Sequence, residues 1–218
     1  MIGGRTRRRE ADDAQVLAVC ALLLEYPDER THDAADEVRD VVSRLDETPA
    51  ATAVRRFVTW WASRPRDEIA RHYVATFDLK KRCGLYLTYY EEGDKRGRGM
   101  ALLRLRKLYR AAGLPMESSE LPDYLPVMLE FAAAAPAGRG LTVLREHRAA
   151  LELVRLAVRD EGSPYAELLQ AVALVLGEPT PLERARAATV AAEGPPQELV
   201  GLEPFGAPEV RASTEARR

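Results

Sequence analysis

Apolar residues recur every three or four positions along most of this 218-residue chain, and this spacing strongly restricts the possible fold. Residues at that interval lie on one face of an α-helix, so segments such as 38–45 and 54–61 predict amphipathic helices. Isoleucine occurs only at Ile2 and Ile69, and asparagine does not occur. Alanine, leucine, arginine and glutamate dominate instead, which favours helix. We therefore predict an all-α fold, a single globular helical bundle of about eight to ten helices.

Prolines, glycines and charged clusters mark the expected limits of this bundle. Residues 1–9 are rich in arginine and are expected to be disordered, with the first helix starting near Asp12 or Asp13. The helical domain is predicted over residues 10–192. Within it, the segment 113–122 combines glycine, serines and prolines and predicts an internal hinge. Residues 193–218 are rich in proline and are expected to form a largely disordered tail.

The chain carries no sequence signal for export or for membrane insertion. Its longest apolar runs fall well short of the roughly 20 residues that cross a bilayer. The N-terminal arginine cluster is followed by acidic residues instead of an apolar stretch, so it is not a secretory signal. Cys20 and Cys83 are isolated, so neither a zinc site nor a disulfide framework is indicated. We expect a cytoplasmic protein.

Tyrosine is concentrated in the centre of the chain. Five of the eight tyrosines lie between Tyr73 and Tyr109, and Tyr124 follows shortly after. Aromatic side chains contribute much contact area at little conformational cost, which suits a recognition surface. The same rings at helical spacing also suit a helical core. The sequence leaves both interpretations open.

Positive charge is concentrated in the same region. The stretch Lys80–Arg110 contains ten Lys and Arg residues against three acidic residues, whereas the whole chain has a net charge of −2. Nucleic-acid-binding proteins usually have a whole domain that is basic, whereas here acidic residues elsewhere in the chain balance one basic segment. We therefore expect no nucleic acid as a partner, and nucleic-acid binding remains only an alternative. The piece Gly93–Gly99 lacks the spacing of known phosphate-binding loops and predicts a mobile basic loop.

No group of residues predicts catalysis. His32, His72 and His147 lie in unrelated contexts, and no hydrolase, zinc-protease, calcium-loop or nucleotide-binding signature occurs. A histidine on an apolar helix face, such as His147, is usually a buried residue with a hydrogen-bond partner. By elimination, a binding protein is favoured over an enzyme. A helical adaptor or regulator of some other protein would show the same features.

Several motifs in the central stretch occur in a characteristic order. They are Tyr73–Glu92, Gly93–Leu103, Tyr109–Gly113 and Leu121–Phe131, with Gly201–Phe205 in the tail. Through these motifs the chain resembles the NarJ-type nitrate reductase assembly chaperones, within the wider TorD-like group of redox enzyme maturation proteins. The resemblance implies an all-helical cytoplasmic chaperone with a TorD-like fold.

The resemblance also implies a partner and a role. The partner is the catalytic (alpha) subunit of a respiratory nitrate reductase, whose N-terminal segment the chaperone binds. The chaperone holds this apo-subunit until the molybdenum cofactor and an iron–sulfur cluster are inserted and before the subunit docks at the membrane. Proteins that deliver the cofactor are further candidate partners. The chaperone itself catalyses no reaction and binds no cofactor stably.

From this role we predict a groove that takes the apolar side of a peptide helix. Its expected wall consists of Tyr73, Phe77, Tyr86, Tyr89, Tyr90, Leu125 and Leu129. Its expected acidic rim, which would meet basic residues of the peptide, consists of Glu91, Glu92, Glu120, Asp123 and Glu130. Pro122 and Tyr124 complete the site. Members of the wider group usually have a histidine where Tyr124 stands, and tyrosine supplies only a neutral hydrogen bond there.

The glycine-rich loop is a second predicted element. Its basic side chains Lys95, Arg96 and Arg98 would let it close over the peptide or touch the anionic cofactor during transfer. A solvated turn is the alternative interpretation.

Overall fold

The described structure is helical throughout. The computed structural model describes residues 2–92, 96–116, 119–135 and 138–193. Within these ranges lie twelve α-helices, one π-helical turn (Val74–Asp78) and one 3-10 turn (Lys81–Cys83). The α-helices are α1 (Ile2–Leu23), α2 (Glu29–Asp33), α3 (Ala35–Arg44), α4 (Pro49–Ala62), α5 (Arg66–Tyr73), α6 (Leu87–Glu92), α7 (Arg96–Ala111), α8 (Leu125–Ala134), α9 (Arg139–Glu146), α10 (Arg148–Asp160), α11 (Ala166–Leu176) and α12 (Pro181–Glu193). The predicted all-α class is confirmed.

The helix count exceeds the prediction of about eight to ten for two local reasons. The short helix α2 is additional, and it is capped by Asp28, which accepts a hydrogen bond from the Thr31 amide at 2.9 Å. The periodicity of 141–160 predicts one helix, but the backbone bends at His147, where φ is −100° and ψ is 18°. His147 is neither glycine nor proline, so no helix-breaking residue marks the bend in the sequence.

The N-terminal segment differs from its prediction. Helix α1 begins at Ile2, well before Asp12, so the expected disorder is wrong for residues 2–9. Arginine favours helix, and extending an existing helix costs little per residue. Arg8 also pairs with Asp46 at 2.6 Å. Of the predicted tail, only Glu193 belongs to the described residues, as the last residue of α12.

The core forms around α1 and α11. Helix α1 packs most extensively against α8, and α11 packs most extensively against α4. Leu17 and Leu24 are fully buried at α1, and the ring of Phe57 in α4 lies 4.9 Å from the ring of Tyr165 before α11. Complete burial of a side chain such as leucine or phenylalanine contributes about 1.5–3 kcal/mol. These four helices form the centre of the bundle, and α6 packs against α10 and α7.

Two local signals bring the end of α7 beside the start of α8. Gly113 has a φ of 81°, and the Leu114 amide donates to the Tyr109 carbonyl at 3.0 Å, which closes the end of α7. Pro126 lies in the first turn of α8, where its missing N–H costs no helical hydrogen bond. Glycine just past the end of a helix and proline in its first turn are the residue types that these positions favour.

Two further properties concern the described residues as a whole. No helix among them combines the length and the apolar character that a membrane crossing requires. The histidine, cysteine, aspartate and glutamate side chains in the same ranges form no group of three or more that could hold a metal ion.

Candidate functional site

A short antiparallel bridge joins the two central motif segments, 85–87 and 123–125. The amides of Leu87 and Leu125 each donate to a carbonyl of the opposite segment, at 3.0 Å and 2.8 Å. These two residues are the first residues of α6 and α8, so the bonds satisfy amides that have no partner inside their own helices. Segments far apart in the chain are thereby held side by side.

Asp123 lies beneath this bridge and is completely buried. One oxygen of its carboxylate accepts a 2.5 Å hydrogen bond from the Thr88 hydroxyl and lies 3.6 Å from a guanidinium nitrogen of Arg98. Its other oxygen has no hydrogen-bond partner among the described residues. The prediction that Asp123 belongs to an exposed acidic rim is therefore wrong, because its carboxylate is used to join α6 and α7 to the start of α8.

Most of the predicted groove wall also lies in the core. Tyr73, Phe77 and Tyr90 are at most 5% exposed, and Leu125 and Leu129 are fully buried. These side chains stabilise the bundle by removing their apolar surface from water. For these five residues the structure supports the helical-core interpretation of the sequence pattern.

The hydroxyl groups of Tyr73 and Tyr124 form hydrogen bonds inside the predicted groove wall. They lie 3.0 Å apart, and the Tyr73 hydroxyl also donates to the Leu24 carbonyl at 3.1 Å. Burial raises the pKa of both phenols, that of Tyr124 to about 12. Tyr124 thus stands on the boundary between the core and the half-exposed residues beside it.

The exposed part of the predicted site is a small aromatic and acidic rim. Tyr86 packs its ring 5.2 Å from the ring of Tyr124, and its hydroxyl donates to Glu120 at 3.3 Å. Tyr89 is also half-buried, with the Arg98 guanidinium 5.9 Å from its ring centre. Pro122 is buried, and its carbonyl accepts a 2.7 Å hydrogen bond from Tyr109.

An open apolar groove of about 410 Å³ lies next to this rim, between the end of α7 and the outer face of α8. Its lining consists of Tyr109, Leu114, Pro115, Met116, Val127, Glu130, Phe131 and Ala134. The rings of Tyr109 and Phe131 are both buried, with their centres 4.4 Å apart, and form its floor. Leu114, Met116 and Val127 are half-buried at its sides.

The groove lies along a different face of α8 from the face predicted for the peptide site. On α8 the residues Leu125 and Leu129 point into the core, whereas Val127 and Glu130 lie along the groove. Both faces of this helix are largely apolar, so periodicity did not separate them. Leu114 lines the groove but was not among the predicted site residues. The signal that could have found it is the glycine before it, since a helix-ending turn folds the next residue back over the helix.

Glu130 is the acidic residue at the edge of the groove. Partial burial of its carboxyl group and repulsion from Glu25 raise its pKa, and Arg30 opposes this shift. A carboxyl group in such surroundings gains stability from a cation placed beside it. Of the predicted acidic rim, Glu92, Glu120 and Glu130 are exposed and remain available to basic residues of a ligand.

Glu91 belongs to a different place in the structure. Its carboxylate lies 2.9 Å from Nδ1 of His147, at the bend between α9 and α10. The predicted hydrogen-bond partner of buried His147 is thereby identified. Arg104 and Glu146 pair nearby at 2.9 Å, and all four residues line a cavity of about 460 Å³. Glu91 is thus engaged within the bundle.

The described part of the predicted basic loop, residues 96–99, is helical. Arg96 is the first residue of α7, and Arg98 lies within that helix with its side chain only 20% exposed. Lys95 lies outside the described residues. Because Arg98 contacts the Asp123 carboxylate, its charge helps to hold the bundle together and is not presented by a mobile loop.

Comparison with known proteins identifies the family. Residues 43–171 match the sequence model of the family described as nitrate reductase delta subunit. A nitrate reductase molybdenum cofactor assembly chaperone NarJ of Bacillus subtilis is 32% identical over 75% of this chain and 90% of its own length. The NarJ chaperone of Escherichia coli K12 is 29% identical over 70% of this chain and 65% of its own length.

Two further matches extend this comparison. The nitrate reductase-like protein NarX of Mycobacterium tuberculosis H37Rv is 35% identical over 79% of this chain, which spans 26% of the length of NarX. Among solved structures, a protein from Archaeoglobus fulgidus described as a redox enzyme maturation protein superposes with a TM-score of 0.56 at 23% identity. That match covers 76% of this chain and 94% of the solved chain, and it shows a common fold.

The sequence resemblance and these matches agree. The Bacillus and Escherichia relatives are described as assembly chaperones, in line with the predicted class of binding protein. Since the family model matches more than half of the length of this chain, the chain belongs to the nitrate reductase delta subunit family.

Proposed function

We propose that this protein is a cytoplasmic assembly chaperone for a respiratory nitrate reductase. It binds the N-terminal segment of the apo catalytic subunit and holds that subunit competent for insertion of the molybdenum cofactor and the iron–sulfur cluster, before membrane docking. The relatives described as nitrate reductase chaperones support the role. The observation that carries the proposal is the open apolar groove between α7 and α8 with the acidic residue Glu130 at its edge.

The shape and chemistry of the groove suit an amphipathic peptide. A volume of about 410 Å³ accommodates a few apolar side chains and not a whole folded segment. An amphipathic helix places its apolar residues along one face, so a single turn can fill such a groove while its polar face stays in water. The buried rings of Tyr109 and Phe131 offer a rigid floor that loses little conformational freedom on binding.

The acidic residues favour a peptide that carries basic side chains. Glu120 and Glu130 are both exposed, at opposite ends of the segment that begins α8. Opposite charges across an interface accelerate encounter and fix orientation more than they increase affinity. Because burial and Glu25 raise the pKa of Glu130, its carboxylate is ionised less at low pH. Affinity for a basic peptide should therefore fall as the pH decreases through the range in which Glu130 titrates.

The basic stretch does not favour nucleic acid. Lys80 and Arg82 both pair with Glu161, and Arg104 pairs with Glu146. Arg98 lies beside buried Asp123. Much of the positive charge in this region is thus compensated within the bundle, which leaves less of it to bind phosphates. A nucleic-acid-binding protein would show an affinity that falls steeply with salt, and we expect little affinity even at low salt.

The contact between Arg98 and Asp123 also restricts which residues could touch the cofactor directly. Since Arg98 is engaged with Asp123, the residues that could touch an anionic cofactor during transfer are Lys95 and Arg96. The cofactor is cargo for the partner subunit here. A Lys95→Ala/Arg96→Ala variant tests the contact, and equal rates of cofactor loading for this variant and the wild type would remove it from the proposal.

Calorimetry with the full chain tests the groove. The ligand is a synthetic peptide that corresponds to the N-terminal segment of the nitrate reductase catalytic subunit. The variant Leu114→Ser/Val127→Ser removes apolar surface from the groove without adding charge. It should weaken binding at least about tenfold, which corresponds to about 1.4 kcal/mol.

The matched control removes apolar surface elsewhere. Leu174 and Leu182 are 37% and 61% exposed on α11 and α12, so the variant Leu174→Ser/Leu182→Ser should bind with wild-type affinity. Equal affinities for the groove variant and this control would contradict the site. Asp123→Ala is unsuitable as a binding test, because the residue is buried and its loss disturbs the bundle.

The partner is tested separately from the site. Mass spectrometry of chains that co-purify with the full-length protein should identify a nitrate reductase catalytic subunit. Recovery of an unrelated protein in its place would favour the alternative of a helical adaptor or regulator.

A further inference from the structure

The outer face of α7 is both apolar and basic. Met100 and Leu103 are 66% and 52% exposed, which is unusual for side chains of this size in the described bundle. Residues three, four and seven positions apart lie on the same side of a helix. Met100, Leu103, Arg104, Arg106, Lys107 and Arg110 together form what we call the α7 surface. Arg104 pairs with Glu146, and α7 itself contains no acidic residue, so Arg106, Lys107 and Arg110 leave this surface positive.

The last described helix brings the C-terminal part of the chain to this surface. Arg186 and Thr189 of α12 line the same cavity as Arg104 of α7. Helix α12 ends at Glu193, about one turn beyond Thr189. From there, the six residues up to Leu199 can span about 20 Å when extended. Residues that follow α12 can therefore reach the α7 surface without any change in the bundle.

The sequence beyond α12 is complementary to the α7 surface. Segment 198–205 reads ELVGLEPF and combines two glutamates with Leu199, Leu202 and Phe205. The first basic residue after α12 is Arg211. An acidic and apolar segment thus starts within reach of a basic and apolar helix. Because only a few residues connect segment 198–205 to α12, its effective concentration at the α7 surface is in the millimolar range. A weak contact is therefore enough to keep the segment bound.

We propose that segment 198–205 docks on the α7 surface of its own chain. Its apolar side chains cover Met100 and Leu103, and Glu198 and Glu203 lie beside the basic residues of α7. This contact does not rest on the proposed function, because it involves only residues of this chain. A second copy of the chain is a poorer occupant, since two α7 surfaces facing each other would oppose like charges.

Disulfide cross-linking in the full chain tests the contact. The pair Leu103→Cys and Phe205→Cys is oxidised, and the native Cys20 and Cys83 do not interfere because both are completely buried. The matched control combines Phe205→Cys with Leu182→Cys instead of Leu103→Cys. Leu182 is 61% exposed on α12 and is also within reach of the tail. We expect the Leu103 pair to form at least about tenfold faster than the Leu182 pair, in a product of monomeric mass.

Two results would overturn the proposal. Equal rates for the two pairs would show that segment 198–205 has no preference for α7. Cross-linked dimers as the main product would assign the surface to a second copy of the chain.

Charge reversal tests the electrostatic part of the contact. Glu198→Lys/Glu203→Lys should lower the rate of the Leu103 pair, and the additional changes Arg106→Glu/Lys107→Glu should restore it. An unchanged rate in the first of these variants would contradict the role assigned to the glutamates.

Discussion

The hydroxyl of Thr88 donates a 2.5 Å hydrogen bond to the carboxylate of Asp123, and both side chains are completely buried. Thr88 belongs to α6, Arg98 of α7 lies 3.6 Å from the same carboxylate, and Asp123 lies two residues before the start of α8. One buried carboxylate thus connects α6 and α7 to the segment that leads into α8. A buried charge with so few partners depends strongly on each of them.

We expect Asp123→Ala to lower the free energy of unfolding by about 3 kcal/mol, because it leaves the Arg98 charge and the Thr88 hydroxyl without their buried partner. Thr88→Val removes only one hydrogen bond and should cost about 1–2 kcal/mol. Urea unfolding followed by circular dichroism measures both. Glu120→Ala, an exposed change nearby, should stay within about 0.5 kcal/mol of wild type. A similar small effect for Asp123→Ala would contradict the role of this carboxylate.

Two glycines should respond in opposite directions to alanine. A Cβ at Gly140 in α9 would lie 2.2 Å from Cα of Ala132 in α8, and backbone atoms cannot move aside cheaply. Gly140→Ala should therefore destabilise the protein by about 2 kcal/mol or more. At Gly99 in α7 an added Cβ meets nothing within 4 Å, so Gly99→Ala should stabilise by about 0.5–1 kcal/mol. Thermal unfolding of both variants measures the contrast, and equal signs would contradict the tight packing of α8 on α9.

Alkaline pH should unfold the protein through its buried tyrosines. Burial raises the pKa of Tyr124 to about 12 and also raises the pKa values of Tyr73, Tyr109 and Tyr165. The folded state therefore holds protons that the unfolded state releases from about pH 10. Stability is fully present below pH 10 and should decrease as the pH rises towards 12.

Ionisation is measured by absorbance at 295 nm and helix content by circular dichroism on the same sample. The two should change together above pH 10. Tyr124→Phe should make the loss of stability with pH less steep. Ionisation of all eight tyrosines without loss of helix would contradict the burial of Tyr73, Tyr109 and Tyr165.

Acidic pH should weaken the contact between the 3-10 turn Lys81–Cys83 and the end of α10. Hydrogen bonds from Arg82 and Lys80 lower the pKa of Glu161. A carboxyl group with a lowered folded pKa contributes stability above its unfolded pKa of about 4.5, and this stability is lost as the pH falls through the folded value. Glu161→Gln should therefore remove part of the pH dependence below about pH 4.5. Hydrogen exchange of the amides in 80–84 at neutral pH should also become faster in this variant, and an unchanged rate would count against the contact.

The helical segments and several of their ends could be predicted from the sequence. Apolar spacing identified the helices, Gly113 marked the end of α7, and Pro126 fell in the first turn of α8. Thr180 and Glu183 exchange hydrogen bonds at the start of α12 as their spacing predicts. These features depend on residues a few positions apart, so local sequence contains the necessary information.

The candidate site could be predicted only as a region. The motif segments do lie together, and Tyr86, Glu120 and Glu130 are accessible. Asp123 and Tyr73, by contrast, are buried, since contacts with Thr88 and with Leu24 cover them from other parts of the chain. Exposure is a property of the assembled bundle, and a helix that is apolar on more than one side does not show which side will be covered.

The sequence by itself determined an all-helical chain, the positions of its main helices and the family to which its central motifs belong. Only the tertiary structure decided that the faces of α8 divide into a buried side with Leu129 and a groove side with Val127. The physical reason is the range of the interactions involved. Helix formation follows from neighbours within about one turn, whereas the covering of a helix face follows from packing between segments as distant in sequence as α1 and α8.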